Sequence, residues 1–522
     1  MFKQERAANL ESLGRRFKLN IRLFYTGKAT CATSGCYLNI KMREKGWSNE
    51  FIVFTHGSDL CPYSQSAMLS HRHPQSSQPT IRHVFGDFTL DGRVTEDGWR
   101  LVQTMLPTSD MTKQAKVASY NFIWHTMLDD KENMLRRSAK GWCFRHKQMC
   151  PILDSVSERG PSHPQMWKQQ LAGIEEMNEL MTGEEAIKLQ QDHQEEVAAA
   201  KRKADKADTT QKEEMCTLQE LAGIIAGTTC TDFCGYSAKN QDAGQTNETF
   251  NWFCLDVVVT RPVFFVCEIS GAEVTYYEQK FGGIYGLFAV HTEPIVEGIP
   301  AYRDRLYTFG WDRVRSRFVG SEEEYFSLVS RKCSLSAVDF LITPKHRRKR
   351  NAWKLAASRG NVLPVDAEVT LGHQLTACAL KRFNDQKAKL EKQSPGSSKG
   401  KVVDLEQNPT HASPCWARSP LVTHGTVVTM DSEEMFDGEE HLFVQGEAVP
   451  TIAKEVNPRW QTCLGPFIRY LRQSAPGQRA LKKLAGNSMI ATNIFSFKLY
   501  CLANFKVLCL NYKHGVNMNY FI

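Results

Sequence analysis

Residues Leu221–Ser237 read LAGIIAGTTCTDFCGYS, a run of small and branched apolar residues that stops at a polar stretch carrying Cys230. A short continuous apolar run bounded by turn formers fits a strand covered on both faces, as in a parallel sheet. In open α/β sheets, ligands and reactive groups gather just beyond the carboxyl ends of such strands. A cysteine there becomes a nucleophile when its neighbours lower its pKa; an isolated buried cysteine is ordinarily a packing residue. The rest of the chain decides between the two.

Outward from this segment, strand-like runs occur at Phe51–Thr55, His83–Phe88, Val257–Val259 and Val263–Cys267, with an amphipathic stretch at Thr249–Val258. That alternation predicts an α/β fold around a mostly parallel sheet. Between the two groups of strands, the pattern from Asp91 to Glu214 turns helical and then strongly charged. Glu175–Lys212 has few large apolar residues and reads as a solvated helix or a partly disordered arm. Asn384–Lys401, NDQKAKLEKQSPGSSKGK, reads as a polar linker or loop. The apolar tail Ile494–Leu510 is interrupted by Lys498, Asn504 and Lys506, which predicts a packed terminal helix rather than a membrane span.

The bulk numbers narrow the class of function only a little. A charge of +8 over 522 residues permits a polyanionic partner without demanding one. Sixteen cysteines lie in no repeating frame, and Met1–Asn20 is charged without an apolar centre, so free thiols in a reducing compartment are expected.

Three further segments supply chemistry. Arg261–Ser270, RPVFFVCEIS, is an apolar strand ending in Glu268. Gly298–Gly310, GIPAYRDRLYTFG, places Arg303 and Arg305 two apart, on one face of an extended segment. Leu484–Met489, LAGNSM, is a tight turn opening a helix. A cysteine, an acid and an arginine pair suit attack on a pyrimidine ring. The thiolate adds to carbon 6 and makes carbon 5 nucleophilic, the acid engages ring nitrogen 3, and a guanidinium holds the exocyclic oxygen as charge develops on it.

In this order and spacing, the segments resemble the carbon-5 cytosine DNA methyltransferases. GTTCTDFCGYS is similar to that family's nucleophile loop, RPVFFVCEIS to its strand ending in Glu-Asn-Val, and GIPAYRDRLYTFG to its Gln-x-Arg-x-Arg segment. LAGNSM resembles the terminal Gly-Asn turn, and Glu439–Pro450, EEHLFVQGEAVP, the late Gln-Gly-x-Pro element. Upstream, Phe54–Arg72 resembles the second strand with its ribose-binding acid, and HVFGDF the third strand with its adenine contact. The chain differs from the pattern at Thr229, Ile269 and Ala301, where the family has Pro, Asn and Gln. Of the first glycine-rich turn, Leu23–Gly35 keeps Gly27 and Gly35.

The resemblance implies a Rossmann-like methyltransferase core that uses S-adenosylmethionine. Cys230 would be the nucleophile, Glu268 the acid at nitrogen 3, Arg305 the oxygen contact and Arg303 its structural partner. Gly27, Asp59 and Asp87 would hold the cofactor, with Gly486 and Asn487 closing the pocket. It divides the chain into a cofactor half of the core (1–90), a helical insertion (91–215), a catalytic part (216–311), a target-recognition-like region (312–430), a return to the core (431–505) and a tail (506–522). DNA is the expected partner, with RNA, tRNA in particular, as an alternative. A catalytically inactive nucleic-acid-binding descendant is a second alternative, and an interaction protein stabilised by zinc a third.

Two lesser signals complete the reading. Cys143, His146 and Cys150 (CFRHKQMC) have ligand-like spacing, and His163 could close a tetrahedral zinc site. No second CxxC-type pair supports it, so polar packing without a metal is the expectation. Lys345–Lys354, KHRRKRNAWK, would contact phosphates or direct the chain to the nucleus, the alternative being a solvated loop in a cytoplasmic protein.

Overall fold

The computed structural model describes residues 2–25, 28–45, 51–58, 62–72, 78–85, 140–151, 219–227, 250–269 and 274–508, with short gaps within the last two ranges, and isolated positions in 108–119. Strand β1 (Phe17–Tyr25) carries Phe17, Leu19, Ile21 and Leu23 in period two, and all four are buried. It pairs in parallel with β2 (Ile52–Ser58) on one side and with β6 (Gln219–Gly227) on the other. β3 (Ile81–Phe85) continues the sheet beyond β2, and β7 (Phe264–Ile269) continues it beyond β6. β9 (Arg305–Asp312) runs antiparallel to β7, and β8 (Tyr285–Thr292) closes the far edge.

The resulting order is β3-β2-β1-β6-β7-β9-β8. Within this sheet β9 alone runs against the other six strands. This is a Rossmann-like α/β fold, as expected, and its strand order reverses between β1 and β6. At such a switch point the flanking connections leave toward opposite sides and open a crevice at the carboxyl ends.

Both faces of the sheet are covered. On one face, Ile21, Phe54, Phe264, Val266 and Phe309 share a core with Phe497, Cys501 and Leu502 of the helix Ala491–Asn504. This is the packed terminal helix expected of the tail, and no helix among the described residues is long and apolar enough to cross a membrane. It runs on into β13 (Phe505–Val507), which pairs with β10 (Ser316–Phe318), so the core includes residues assigned to the tail. Helix α1 (Phe2–Arg16) precedes β1, and helix α2 (Lys28–Glu44) follows it after two residues. Gly35 is therefore not part of the turn. It sits within α2 against Phe54, where a Cβ would lie 2.3 Å from the ring's Cζ. A glycine at this place lets helix and sheet approach closely.

Three expectations are corrected. Val257 and Val258 are helical rather than extended. Phe250, Phe253, Cys254 and Val257 are all buried at i, i+3, i+4 and i+7, and that helical period overrides the strand preference of a valine run. Asn384–Gln393 is no linker, because it completes the helix Ala377–Gln393. Thr376 caps that helix by accepting from the Ala379 amide at 3.2 Å, and Phe383 and Leu390 are buried two turns apart. The segment 91–215 is not helical throughout, since β4 (Lys140–Cys143) and β5 (Gln148–Pro151) form an antiparallel hairpin within it. The charged stretch Glu175–Lys212 lies outside the described residues, as does Asp91.

The region after β9 builds its own small core. Leu371, Phe383, Leu390, Val403, Val428 and Met430 pack between helices and the short pair β11 (Val402–Asp404) and β12 (Val427–Thr429).

Candidate active site

The carboxyl ends of β1, β2, β3, β6 and β7 lie along one edge of the sheet, with Tyr25 beside Gly227 and Gly227 beside Glu268. Because β9 runs the other way, its first residues reach the same edge, and Leu306 pairs with Ile269. Glu268 and Arg305, some forty positions apart in sequence, thus meet: Arg305 Nε lies 2.9 Å from Glu268 Oε1. The carboxylate is buried and the guanidinium mostly so, a setting in which a charge pair is only weakly screened.

Arg303 has a different task. Its guanidinium is buried and donates to the carbonyls of Ser488, at 3.0 Å, and Gly486, at 3.5 Å. Gly486 ends the helix Ala475–Gly486, and Asn487 is its C-cap, so Arg303 satisfies carbonyls that this helix end leaves without intrahelical partners. The turn is held from a second side by Gln445, whose carbonyl accepts from the Ala491 amide at 2.7 Å. The arginine segment, the Gly-Asn turn and the Gln-Gly element, remote in sequence, therefore form one unit beside the sheet edge.

Just before the arginine segment, Glu297 accepts from Ser496 Oγ at 2.9 Å and from Tyr325 Oη at 3.1 Å. Burial pushes its carboxyl up to about 7, against the lowering effect of these two hydroxyls. Sequence reasoning did not single it out, and its only signal was its place next to Gly-Ile-Pro.

Cys230, Gly27, Asp59 and Asp87 lie outside the described residues. In sequence, they follow the last residues of β6, β1, β2 and β3 by three, two, one and two positions respectively. Of the positions that differ from the resembled family, Ile269 is buried in β7, and Ala301 is buried in an apolar cluster with Phe340 and Val444. At 269 an Asn would bury an amide that needs hydrogen-bond partners, and at 301 a Gln would need the cluster to repack around a longer side chain.

The basic run Lys345–Lys354 is neither a loop nor wholly solvated. It lies in the helix Lys345–Ser358. Arg347 is buried, 2.9 Å from Glu439, and Arg348 pairs with Glu434 at 2.6 Å and Glu440 at 3.2 Å. These two arginines hold the helix to Glu439–Val444, while Lys345, Lys349, Arg350 and Lys354 stay exposed. Of the ligand-like trio, Cys143, His146 and Cys150 come together, whereas His163 lies outside the described residues.

No family model and no curated protein matches the chain. Solved structures do match. A methyltransferase of Entamoeba histolytica is 10% identical, with 53% of this chain and 76% of that one covered at a TM-score of 0.31. The Dnmt2 methyltransferase of S. pombe is 11% identical, with 54% and 77% covered at a TM-score of 0.30. A protein described as a DNA modification methyltransferase from an E. coli prophage is 15% identical, with 51% and 77% covered at a TM-score of 0.25. The fold stands on the strand order of the chain itself.

Proposed function

We propose that this chain methylates carbon 5 of cytosine in DNA, using S-adenosylmethionine and a covalent adduct at Cys230. The observation that carries the reading is the buried Glu268–Arg305 pair at the carboxyl edge of the sheet. Gly227, three residues before Cys230, stands beside Glu268 in the register. With Cys230 at that edge, as we propose, a thiol would join the carboxylate and the guanidinium, the set that addition to a pyrimidine ring requires.

In this reading, the Cys230 thiolate forms a bond to ring carbon 6, and electron density moves to carbon 5. Glu268 binds at nitrogen 3, and Arg305 stabilises the oxygen on carbon 2, where negative charge grows. Arg303 positions the Gly486–Ser488 turn and touches no reacting atom. Carbon 5 would then bond the methyl group that bound S-adenosylmethionine supplies, leaving S-adenosylhomocysteine; loss of the carbon-5 proton to solvent and cleavage of the carbon–sulfur bond would free Cys230. A target base must leave the duplex stack to reach an edge recessed in this way.

In this reading the cofactor would lie in the same crevice. Two residues in sequence separate β1 from α2, and Gly35 allows α2 to lie close on the sheet. Asp59 and Asp87 would take the ribose hydroxyls and the adenine amino group. S-adenosylmethionine supplies an electrophilic methyl group when bound. Exposed Lys349 and Arg350 would contact nucleic-acid phosphates, and the same basic helix is consistent with a nuclear location.

A second reading is an inactive nucleic-acid-binding descendant. Buried Ile269 and Ala301 favour it, because each replaces a polar side chain of the resembled motifs by packing. Titration with S-adenosylmethionine separates the two. Asp59→Ala should weaken binding by about tenfold to a hundredfold, as loss of hydrogen bonds to a charged acceptor predicts, and leave nucleic-acid affinity unchanged. No cofactor binding in the unaltered chain would overturn the enzyme reading.

A further inference from the structure

Cys143 ends β4, Cys150 lies in β5, and His146 is in the four-residue turn between the two strands. Cys143 pairs with Gln148 and Cys150 with Gly141, so the two cysteines are diagonal neighbours on the same face of the hairpin. Diagonal positions lie about 7–8 Å apart, beyond the usual span of a disulfide, and both cysteines are free. His146 Nδ1 is 3.4 Å from each sulfur. The fourth group comes from the core: His83 of β3, whose ring meets that of His146 edge-on, with centroids 4.8 Å apart. The ligand atoms of all four lie within 4.8 Å of one another.

We propose that Cys143, His146, Cys150 and His83 form a structural zinc site that fastens the inserted hairpin to the edge strand of the core sheet. Zinc–sulfur bonds of about 2.3 Å and zinc–nitrogen bonds of about 2.0–2.1 Å in a tetrahedron set sulfur–nitrogen edges of about 3.5 Å, close to both observed separations. Two thiolates and two neutral imidazoles also balance the charge of a divalent ion. Sequence spacing could not supply the fourth ligand, because His83 lies sixty residues upstream of Cys143 and is brought in by the sheet.

The hairpin needs such a fastening. Among the described residues one small apolar cluster, Phe85 with Cys143 and Cys150, joins it to the core, and Phe144 is buried as well, a small core for a twelve-residue unit. Hydrogen bonds add further anchors. The Phe144 amide donates to the Val84 carbonyl at 2.9 Å, and Arg145 donates to the carbonyls of Met68 and Leu69 at the end of helix α3 (Pro62–Ser70). On the core side, the His83 ring lies nearly parallel to the rings of His56, at 5.1 Å, and Phe85, at 6.0 Å, which are 5.8 Å from each other, and this aromatic cluster fixes its orientation.

A second group, Cys36, His71 and Cys463, is fully buried but has three members among the described residues, one short of a closed structural site. It serves as the control. The full chain, purified from zinc-supplemented medium, should contain about one zinc per chain by mass spectrometry, bound by two sulfur and two nitrogen ligands in X-ray absorption. Cys143→Ser with Cys150→Ser should lower the content to under about a tenth, and Cys463→Ser should leave it unchanged. Should the double variant fail to fold, cobalt(II) added to the metal-stripped natural chain should give the tetrahedral spectrum with thiolate charge transfer. Less than about a tenth of a zinc in the natural chain, zinc retained by a folded double variant, or cobalt bound without thiolate charge transfer would each overturn the site.

Discussion

Glu439→Ala is expected to lower the unfolding free energy by about 3–5 kcal/mol, the usual result of stripping one partner from a buried ion pair. Glu439 is fully buried and accepts from Arg347 at 2.9 Å, Arg472 at 3.0 Å, the Thr451 amide at 3.0 Å and the Thr451 hydroxyl at 2.6 Å. Its loss leaves the buried Arg347 without its carboxylate and releases Arg472 from the same centre. Denaturant unfolding measures the change through the midpoint, with the slope held as a check on two-state behaviour. A loss below about 1 kcal/mol, the range of an exposed pair, would show that this network does not join the region after β9 to the core.

Arg305→Ala is expected to reduce methyl transfer by about a hundredfold to a thousandfold, the range found when one preorganised donor to a developing oxyanion is removed. Arg305→Lys should recover little, because a point ammonium cannot contact the carboxylate and the base oxygen together as a planar guanidinium does. Both variants also leave the buried Glu268 less well paired, so thermal unfolding must be followed in parallel. A rate loss that matches the loss of folded protein would assign Arg305 to structure alone. Arg303→Ala, by contrast, should act through the Gly486–Ser488 turn, moving stability and rate together.

The parts legible in the sequence were those governed by local pattern. Leu221–Ala226 and Val263–Cys267 are apolar runs of strand length between turn formers, and both are strands of the central sheet. The spacing of Arg303 and Arg305 predicted one face of one extended segment, whereas β9 begins at Arg305 and Arg303 precedes it. It did not show that one would turn to Glu268 and the other to the carbonyls at Gly486 and Ser488, because those partners come from distant strands and turns. Val257–Val258 misled because three consecutive valines outweigh, in a short window, the helical spacing set by Phe250, Phe253 and Cys254. KHRRKRNAWK misled in another way. A basic run is normally solvated, yet Arg347 and Arg348 face acids some ninety residues later. His83 was read only as part of a strand, since its relation to Cys143 exists only once β3 and the hairpin stand side by side.

The central claim is that Cys230 forms a bond to a cytosine ring at the sheet edge beside Glu268 and Arg305. A duplex carrying 5-fluorocytosine tests it directly, because fluorine at carbon 5 blocks the step that frees the enzyme and leaves the adduct in place. With S-adenosylmethionine present, the natural chain should form a complex stable to denaturing electrophoresis. Cys234→Ser should form it as well, and Cys230→Ser should not. Trapping that persists without Cys230, or none in a natural chain shown to bind S-adenosylmethionine and DNA, would contradict the account.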